Sequence, residues 1–209
     1  MTAIPERPVV AAFDVDGTLT TRDCVVPFLR ELVGTHRLVH SVLRRPGRSG
    51  RAAMRRDRDT FKAIAVATLA GRSMEEVAER GRRFARERAA RWLRPDTTGR
   101  LAWHLESGHE VVLVSASLEP YLGPLGDSLG VAASLCTRFE VDGEGRLTGR
   151  LLGDNCRGME KVRRLEDWLA GRDVELWAYG DSAGDAELLA RADRSFLVKD
   201  LTVSRAPQP

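Results

Sequence analysis

Cysteine is scarce in this sequence of 209 residues, and long apolar runs are missing. The three cysteines, Cys24, Cys136 and Cys156, are odd in number and form no CxxC pair, which argues against a disulfide framework and a cysteine zinc site. No stretch approaches the roughly 18 apolar residues of a membrane span, and the first residues have no run typical of a signal peptide. We therefore expect a cytoplasmic protein without a membrane partner.

Lysine is scarce as well, since Lys62, Lys161 and Lys199 are the only lysines among 33 basic residues. The charges are unevenly distributed: residues 21–95 carry a net charge of +11 and the rest of the chain carries −8. This split is compatible with a local anion-binding region in 21–95 or with a solvated helix face. Nucleic-acid binding stays open for residues 21–95 as a less favoured alternative, because no aromatic residues interleave the arginine run.

Short apolar runs alternate with helical patterns outside residues 21–95. The runs lie at 9–15, 110–115, 132–136, 174–179 and 195–198, and the helical patterns at 95–105, 121–129, 161–169 and 185–192. This alternation predicts an α/β fold with a Rossmann-like, doubly wound parallel sheet. Two extended segments around a Gly-rich turn in 139–151 predict a small β-hairpin.

Residues 21–95 contain no convincing strand pattern. Arginine-, alanine- and leucine-rich stretches at 25–40, 52–69 and 74–92 predict helices instead. We expect an all-helical cap in 21–95, inserted after the first strand of a catalytic core formed by 1–20 and 96–209.

Polar residues follow three of the predicted strands. In parallel sheets, ligands bind beyond the carboxyl ends of the strands, so these residues are candidates for a shared site. Four carboxylates gathered there would repel one another without a cation, and oxygen ligands suit Mg²⁺. The residues are Asp14, Asp16, Ser115, Ser117, Asp181 and Asp185.

Four motifs resemble those of the haloacid dehalogenase (HAD) superfamily and occur in the same order. They are Phe-Asp-Val-Asp-Gly-Thr at 13–18, Ser115 in Leu-Val-Ser-Ala-Ser, Lys161, and Gly-Asp-Ser-Ala-Gly-Asp at 180–185. The helical insertion after the first motif resembles the phosphoserine-phosphatase-like branch, subfamily IB. The resemblance implies Mg²⁺-dependent hydrolysis of a small-molecule phosphate monoester through an aspartyl-phosphate.

The resemblance also implies a role for each charged residue. Asp14 would be the nucleophile. Asp16 would act as general acid and base, and its backbone carbonyl would bind the metal together with Asp14 and Asp181. Lys161 would neutralise charge on the phosphoryl group and hold Asp14, with Asp185 in support.

Further residues would contact the substrate. Thr18, Ser115 and Ala116 match the phosphate-binding positions of the motifs. Asp23 is the nearest match to an acidic residue that binds an amino group in this branch, and we select Arg56, among Arg55, Arg56 and Arg58, as the candidate for a substrate carboxylate.

The fourth motif departs from that of the serine phosphatases, because Gly184 stands where they typically have Asn. A substrate other than phosphoserine is therefore expected. Two alternatives remain open: a phosphotransferase or mutase that uses the same aspartyl-phosphate, and a receiver-like signalling domain. The receiver-like domain has no helical insertion after its first strand. The oligomeric state also stays open, a homodimer included.

Overall fold

The computed structural model describes residues 7–34 and 58–198, and the side chains of 7–34 and 62–198. Seven strands lie in these ranges: β1 (Val9–Phe13), β2 (Glu110–Leu118), β3 (Ala133–Thr137), β4 (Phe139–Val141), β5 (Leu147–Leu151), β6 (Glu175–Gly180) and β7 (Arg194–Leu197). Five of them form one sheet in the order β3-β2-β1-β6-β7, and all its neighbours are parallel. The predicted parallel sheet is confirmed.

Strand β1 is central because its residues are apolar on both faces. Val10 to Phe13 are completely buried; Val10 and Ala12 pack into one core cluster and Ala11 and Phe13 into the other. Strand β1 pairs with β2 on one side and with β6 on the other. The order of the strands reverses at this point, which is where α/β sheets open a crevice for ligands.

Helices connect the strands. The described α-helices are α1 (Val25–Val33), α2 (Arg58–Ala67), α3 (Met74–Glu87), α4 (Pro95–Glu106), α5 (Glu119–Leu129), α6 (Met159–Leu169) and α7 (Ala186–Arg191), with 3₁₀ turns at Ala89–Trp92 and Ala183–Asp185. The helix expected over 25–40 is wrong at its C-terminal end. It stops at Val33 because Gly34 has a φ of 84°, outside the helical region.

The described helices between β1 and β2 pack on the face of the sheet that carries Phe13. Phe28 of α1 and Phe84 of α3 both contact Tyr121 of α5, at ring-centroid distances of 5.0 and 5.3 Å. Gly81 allows α3 to approach α5 closely, since a Cβ there would lie 2.0 Å from the Pro120 carbonyl oxygen. The described helices of the insertion are thus docked on the core through aromatic packing.

Strands β4 and β5 pair antiparallel and confirm the predicted hairpin. The hairpin also contacts the insertion, because the Leu147 amide donates to the Arg72 carbonyl and the Gly71 amide donates to that of Leu147. Among helices in the described ranges, none combines the length and apolar character needed to cross a membrane.

Candidate active site

The turn after β1 places two aspartates at the carboxyl edge of the sheet. The Asp14 amide donates to the Tyr179 carbonyl of β6 at 2.9 Å, so the chain is still held as a strand at this residue. Beyond it, the amides of Thr18, Leu19 and Thr20 all donate to the Val15 carbonyl and close a tight loop. Asp14 and Asp16 therefore leave the sheet in fixed positions.

Gly17 is required in this loop for two reasons. Its φ of 96° is strained for any residue with a side chain, and a Cβ would lie 2.4 Å from Asp181 Oδ2. The loop is also braced from the start of α4, where Arg94 donates to the Gly17 carbonyl and Thr97 donates to the Thr18 carbonyl. The first and fourth motifs consequently meet at this glycine.

Lys161 lies between two buried carboxylates. Its Nζ is 2.5 Å from Asp14 Oδ1 and 2.5 Å from Asp185 Oδ1, and all three side chains are at most 8 % exposed. Burial alone would lower the pKa of Lys161, but the two carboxylates outweigh it and raise this pKa, so the ammonium stays charged. Burial raises the pKa of Asp14, and Lys161 opposes that rise. Lys161 thus fixes the Asp14 carboxylate while offsetting its charge.

Asp16 has a different environment from Asp14. Its Oδ1 accepts from the Cys24 amide at 2.9 Å and its Oδ2 from the Ser117 hydroxyl at 2.8 Å. Burial, followed by the charges of Asp23 and Asp14, raises the pKa of Asp16 to about 7. The side chain can therefore gain or lose a proton near neutral pH, as a general acid and base must.

Asp181 completes an acidic cluster with Asp14 and Asp185, in which one oxygen of each carboxylate lies within 4.8 Å of the others. Burial and the charges of Asp14 and Asp185 raise the pKa of Asp181. Thr18 donates to Asp181 Oδ1 at 3.2 Å. An all-oxygen donor set with unbalanced negative charge fits a hard cation such as Mg²⁺.

Asp185 supports the cluster chiefly by hydrogen bonding. Its Oδ2 accepts from the Ser182 amide at 3.0 Å and from the Ser182 hydroxyl at 2.9 Å, while Oδ1 accepts from Lys161. Gly180 leaves room for this arrangement, since a Cβ there would lie 2.5 Å from the Asp185 Cβ. The structure brings Asp185 to Lys161 as well as to Asp181.

The end of β2 supplies the second motif. Ser115 is 1 % exposed, and its Oγ accepts from the Ser117 amide at 3.2 Å. The Ala116 carbonyl accepts from Lys62 of the helical insertion. The motifs of the sequence do not mark Lys62 as a site residue, and the scarcity of lysine is the signal that could have identified it.

Two predicted substrate contacts have other outcomes. Asp23 Oδ1 accepts from the amides of Val25 at 2.6 Å and Val26 at 3.2 Å, so this carboxylate caps the start of α1. Its contact with a substrate amino group stays a prediction. Arg56 lies outside the described residues.

Comparisons with known proteins show the family to which this chain is related. The family model for haloacid dehalogenase-like hydrolases matches residues 11–190. Protein CicA of Caulobacter vibrioides is 38 % identical over 189 residues, which cover 90 % of this chain and 84 % of that protein. A histidinol-phosphatase of Neisseria meningitidis is 32 % identical over 139 residues, which cover 64 % of this chain and 63 % of that protein.

Solved structures show the same fold. A Bordetella pertussis protein of unknown function superposes with a TM-score of 0.69 at 25 % identity, over 91 % of this chain and 90 % of that one. A phosphoserine phosphatase with a phospho-aspartyl intermediate analogue gives a TM-score of 0.62 at 19 % identity, over 92 % and 87 % of the two chains.

Proposed function

This chain belongs to the haloacid dehalogenase-like hydrolase family and is a phosphatase of that family, and from this premise we propose that it hydrolyses a small-molecule phosphate monoester with Mg²⁺, through an aspartyl-phosphate on Asp14. The observation that carries the proposal is that Asp14 and Asp16 have different hydrogen-bond partners. Lys161 holds Asp14 at 2.5 Å, whereas neutral donors hold Asp16. One carboxylate is prepared to attack, and the other to transfer a proton.

In the first half of the reaction, the Asp14 carboxylate attacks phosphorus and the bond to the ester oxygen breaks. Asp16, protonated, gives its proton to the departing alkoxide, which leaves as an alcohol. Its pKa of about 7 suits this transfer at neutral pH. Lys161 offsets the charge that develops on the phosphoryl oxygens.

In the second half, Asp16 is ionised and takes a proton from a water molecule that attacks phosphorus. The bond between Asp14 and phosphorus breaks, inorganic phosphate leaves, and Asp14 is again a carboxylate held by Lys161. Atoms and protons balance over the two halves, because the proton that Asp16 gives to the alcohol is replaced by one from water.

We propose that Asp14 and Asp181 hold the magnesium ion, with the backbone carbonyl of Asp16 as a further ligand and Asp185 in support. When bound, Mg²⁺ would supply positive charge to the phosphoryl group and to the crowded carboxylates. The proximity of these carboxylates and the raised pKa of Asp181 support this assignment.

The substrate we propose is a small phosphomonoester other than phosphoserine. Gly184 supports this choice, because the serine phosphatases of this branch typically have an asparagine at this position and glycine offers no side chain to the substrate. Thr18, Ser115 and Ala116 of the core would contact the phosphate. The helical insertion would act as the cap that selects the rest of the molecule, through Asp23 and Arg56.

A panel of phosphomonoesters tests the proposal. It contains p-nitrophenyl phosphate, L-histidinol phosphate and O-phospho-L-serine, each assayed for free phosphate with Mg²⁺ or with EDTA. Asp14→Asn serves as the blank. We expect Mg²⁺-dependent phosphate release that Asp14→Asn abolishes and that needs no acceptor, unlike a phosphotransferase. Equal release by Asp14→Asn and the wild type would contradict the mechanism.

A further inference from the structure

Lys62 and Lys161 are the two lysines of the described residues, in a chain where arginine supplies 30 of 33 basic groups. Both are buried, with exposures of 8 % and 2 %. Lys161 has a role in the mechanism above, whereas Lys62 lies on α2, in the helical insertion. Its position calls for a separate explanation, because burying an ammonium is costly unless its hydrogen bonds are made.

The Lys62 ammonium reaches from the insertion into the core. Its Nζ lies 2.5 Å from the Ala116 carbonyl oxygen and 2.6 Å from Asn155 Oδ1. Ala116 separates Ser115, a proposed phosphate contact, from Ser117, which donates to Asp16. Lys62 of the insertion therefore donates a hydrogen bond to the Ala116 carbonyl, which lies between the site residues Ser115 and Ser117.

Thr137 is the partner that the core itself supplies to this peptide. Its hydroxyl lies 3.0 Å from the Ala116 carbonyl oxygen and 2.7 Å from Asn155 Oδ1, and it accepts from the Cys156 amide at 3.1 Å. One hydroxyl has one proton, so it can satisfy only one of the two oxygens at a time. The ammonium of Lys62 donates to both, and it binds them as a compact charge that a planar guanidinium could not replace equivalently.

We propose that Lys62 is a positioning residue of the active site, which orients the 115–117 segment from the helical insertion. The proposal rests on the proposed function. When α2 is docked, Lys62 holds the Ala116 carbonyl. It thereby fixes Ser115 and also Ser117, whose hydroxyl donates to Asp16. When the hydrogen bond from Lys62 to the Ala116 carbonyl is missing, only the core holds the 115–117 segment, and the phosphoryl group binds in a less ordered site.

Steady-state kinetics of Lys62→Met on p-nitrophenyl phosphate test this role. Charged hydrogen bonds to positioned groups are typically worth enough for a roughly tenfold to hundredfold loss of kcat when removed. Arg80→Met is the control, because Arg80 is a partly exposed cation of the insertion, paired with Glu76 at 2.8 Å. We expect kcat to fall at least tenfold in Lys62→Met and to stay within twofold of wild type in Arg80→Met.

A residue that only docks the insertion would change the melting temperature and KM and leave kcat intact. A kcat for folded Lys62→Met within twofold of wild type would therefore overturn the proposal, whatever the melting temperature. Should Lys62→Met fail to fold, Lys62→Gln, which removes the charge but keeps a polar end, is judged by the same criterion.

Amide hydrogen exchange gives a measurement that needs no activity and separates this proposal from the proposed function. We expect the Ser117 amide, which donates to Ser115 Oγ, to exchange about tenfold faster or more in Lys62→Met, with Val112 in the middle of β2 unchanged. Unchanged exchange at Ser117, or an equal rise at both amides, would overturn the role of Lys62. Failure of the proposed function would instead appear as equal phosphate release by wild type and Asp14→Asn.

Discussion

Removing the positive charge between Asp14 and Asp185 should destabilise the fold as well as abolish catalysis. In Lys161→Met, two carboxylates that are 8 % and 2 % exposed lose their shared ammonium partner. Breaking a buried ion pair from one side typically costs about 3–5 kcal/mol of unfolding free energy. We expect a loss of that size at pH 7.5 in EDTA, measured by urea unfolding, together with loss of phosphatase turnover.

The pH dependence of this loss makes the prediction specific. Lys161 opposes the rise of the Asp14 pKa that burial causes, so its removal raises this pKa further above the value in the unfolded chain. A raised carboxylate pKa gives stability that is present at low pH and lost as the pH rises through it. The deficit of Lys161→Met should therefore shrink between pH 7.5 and pH 5.

Arg163→Met is the matched control on the same helix. Arg163 is 60 % exposed. It pairs with the exposed Asp167 and with Glu160, which is 11 % exposed and keeps Arg164 as a second partner, so we expect its removal to cost about 1 kcal/mol or less. A deficit in Lys161→Met as small as that of Arg163→Met, or one that is independent of pH, would refute this reading of the buried ion triad.

Three further variants test other parts of the account. Gly17→Ala should lose stability and need more Mg²⁺ for half-maximal turnover, because its Cβ would lie 2.4 Å from Asp181 Oδ2. Gly71→Ala is the control and should lose stability only, since Gly71 has a φ of 79° but open space around it. Equal Mg²⁺ requirements of the two variants would contradict the steric argument. Burial, followed by the charge of its neighbour His109, lowers the pKa of His104 to about 3. Unfolding therefore takes up a proton below pH 6.5, and the free energy of unfolding decreases as the pH is lowered. Urea unfolding should show about 1.4 kcal/mol lost between pH 7.5 and 5.5 through this group and regained in His104→Gln, whereas parallel pH profiles would refute it. Asp16→Asn should slow the first turnover of an alkyl phosphate about a hundredfold or more and that of p-nitrophenyl phosphate far less, because nitrophenolate leaves without a proton; equal slowing of product release in rapid-quench experiments would argue against Asp16 as the acid.

The alternation of apolar runs and helical patterns was sufficient to predict the parallel sheet and the hairpin. Strand β1 shows why, since a continuous apolar run can only be satisfied by burial on both faces. The end of α1 was not predictable in the same way. Helix propensity favoured continuation to residue 40, and the local conformation of Gly34 stopped the helix at Val33.

The candidate site was predictable where motif residues follow strands, because parallel strands bring their carboxyl ends together. Asp14, Asp181 and Asp185 are close for this reason. Lys62 could not be placed from its local sequence, since its contacts with Ala116 and Asn155 span 54 and 93 residues. Such contacts depend on how a helix docks on the core, which no short pattern encodes.

The nucleophilic role of Asp14 is the central claim, and trapping the intermediate tests it most directly. Wild-type protein is mixed with Mg²⁺ and p-nitrophenyl phosphate, quenched within the first turnovers, reduced with borohydride, and digested for mass spectrometry. An aspartyl-phosphate is an acyl phosphate, so reduction converts the residue that carried it to homoserine. We expect homoserine at position 14, and none at position 16 or in Asp14→Asn. Homoserine at another aspartate, or phosphate release with no reduced residue under the same conditions, would contradict it.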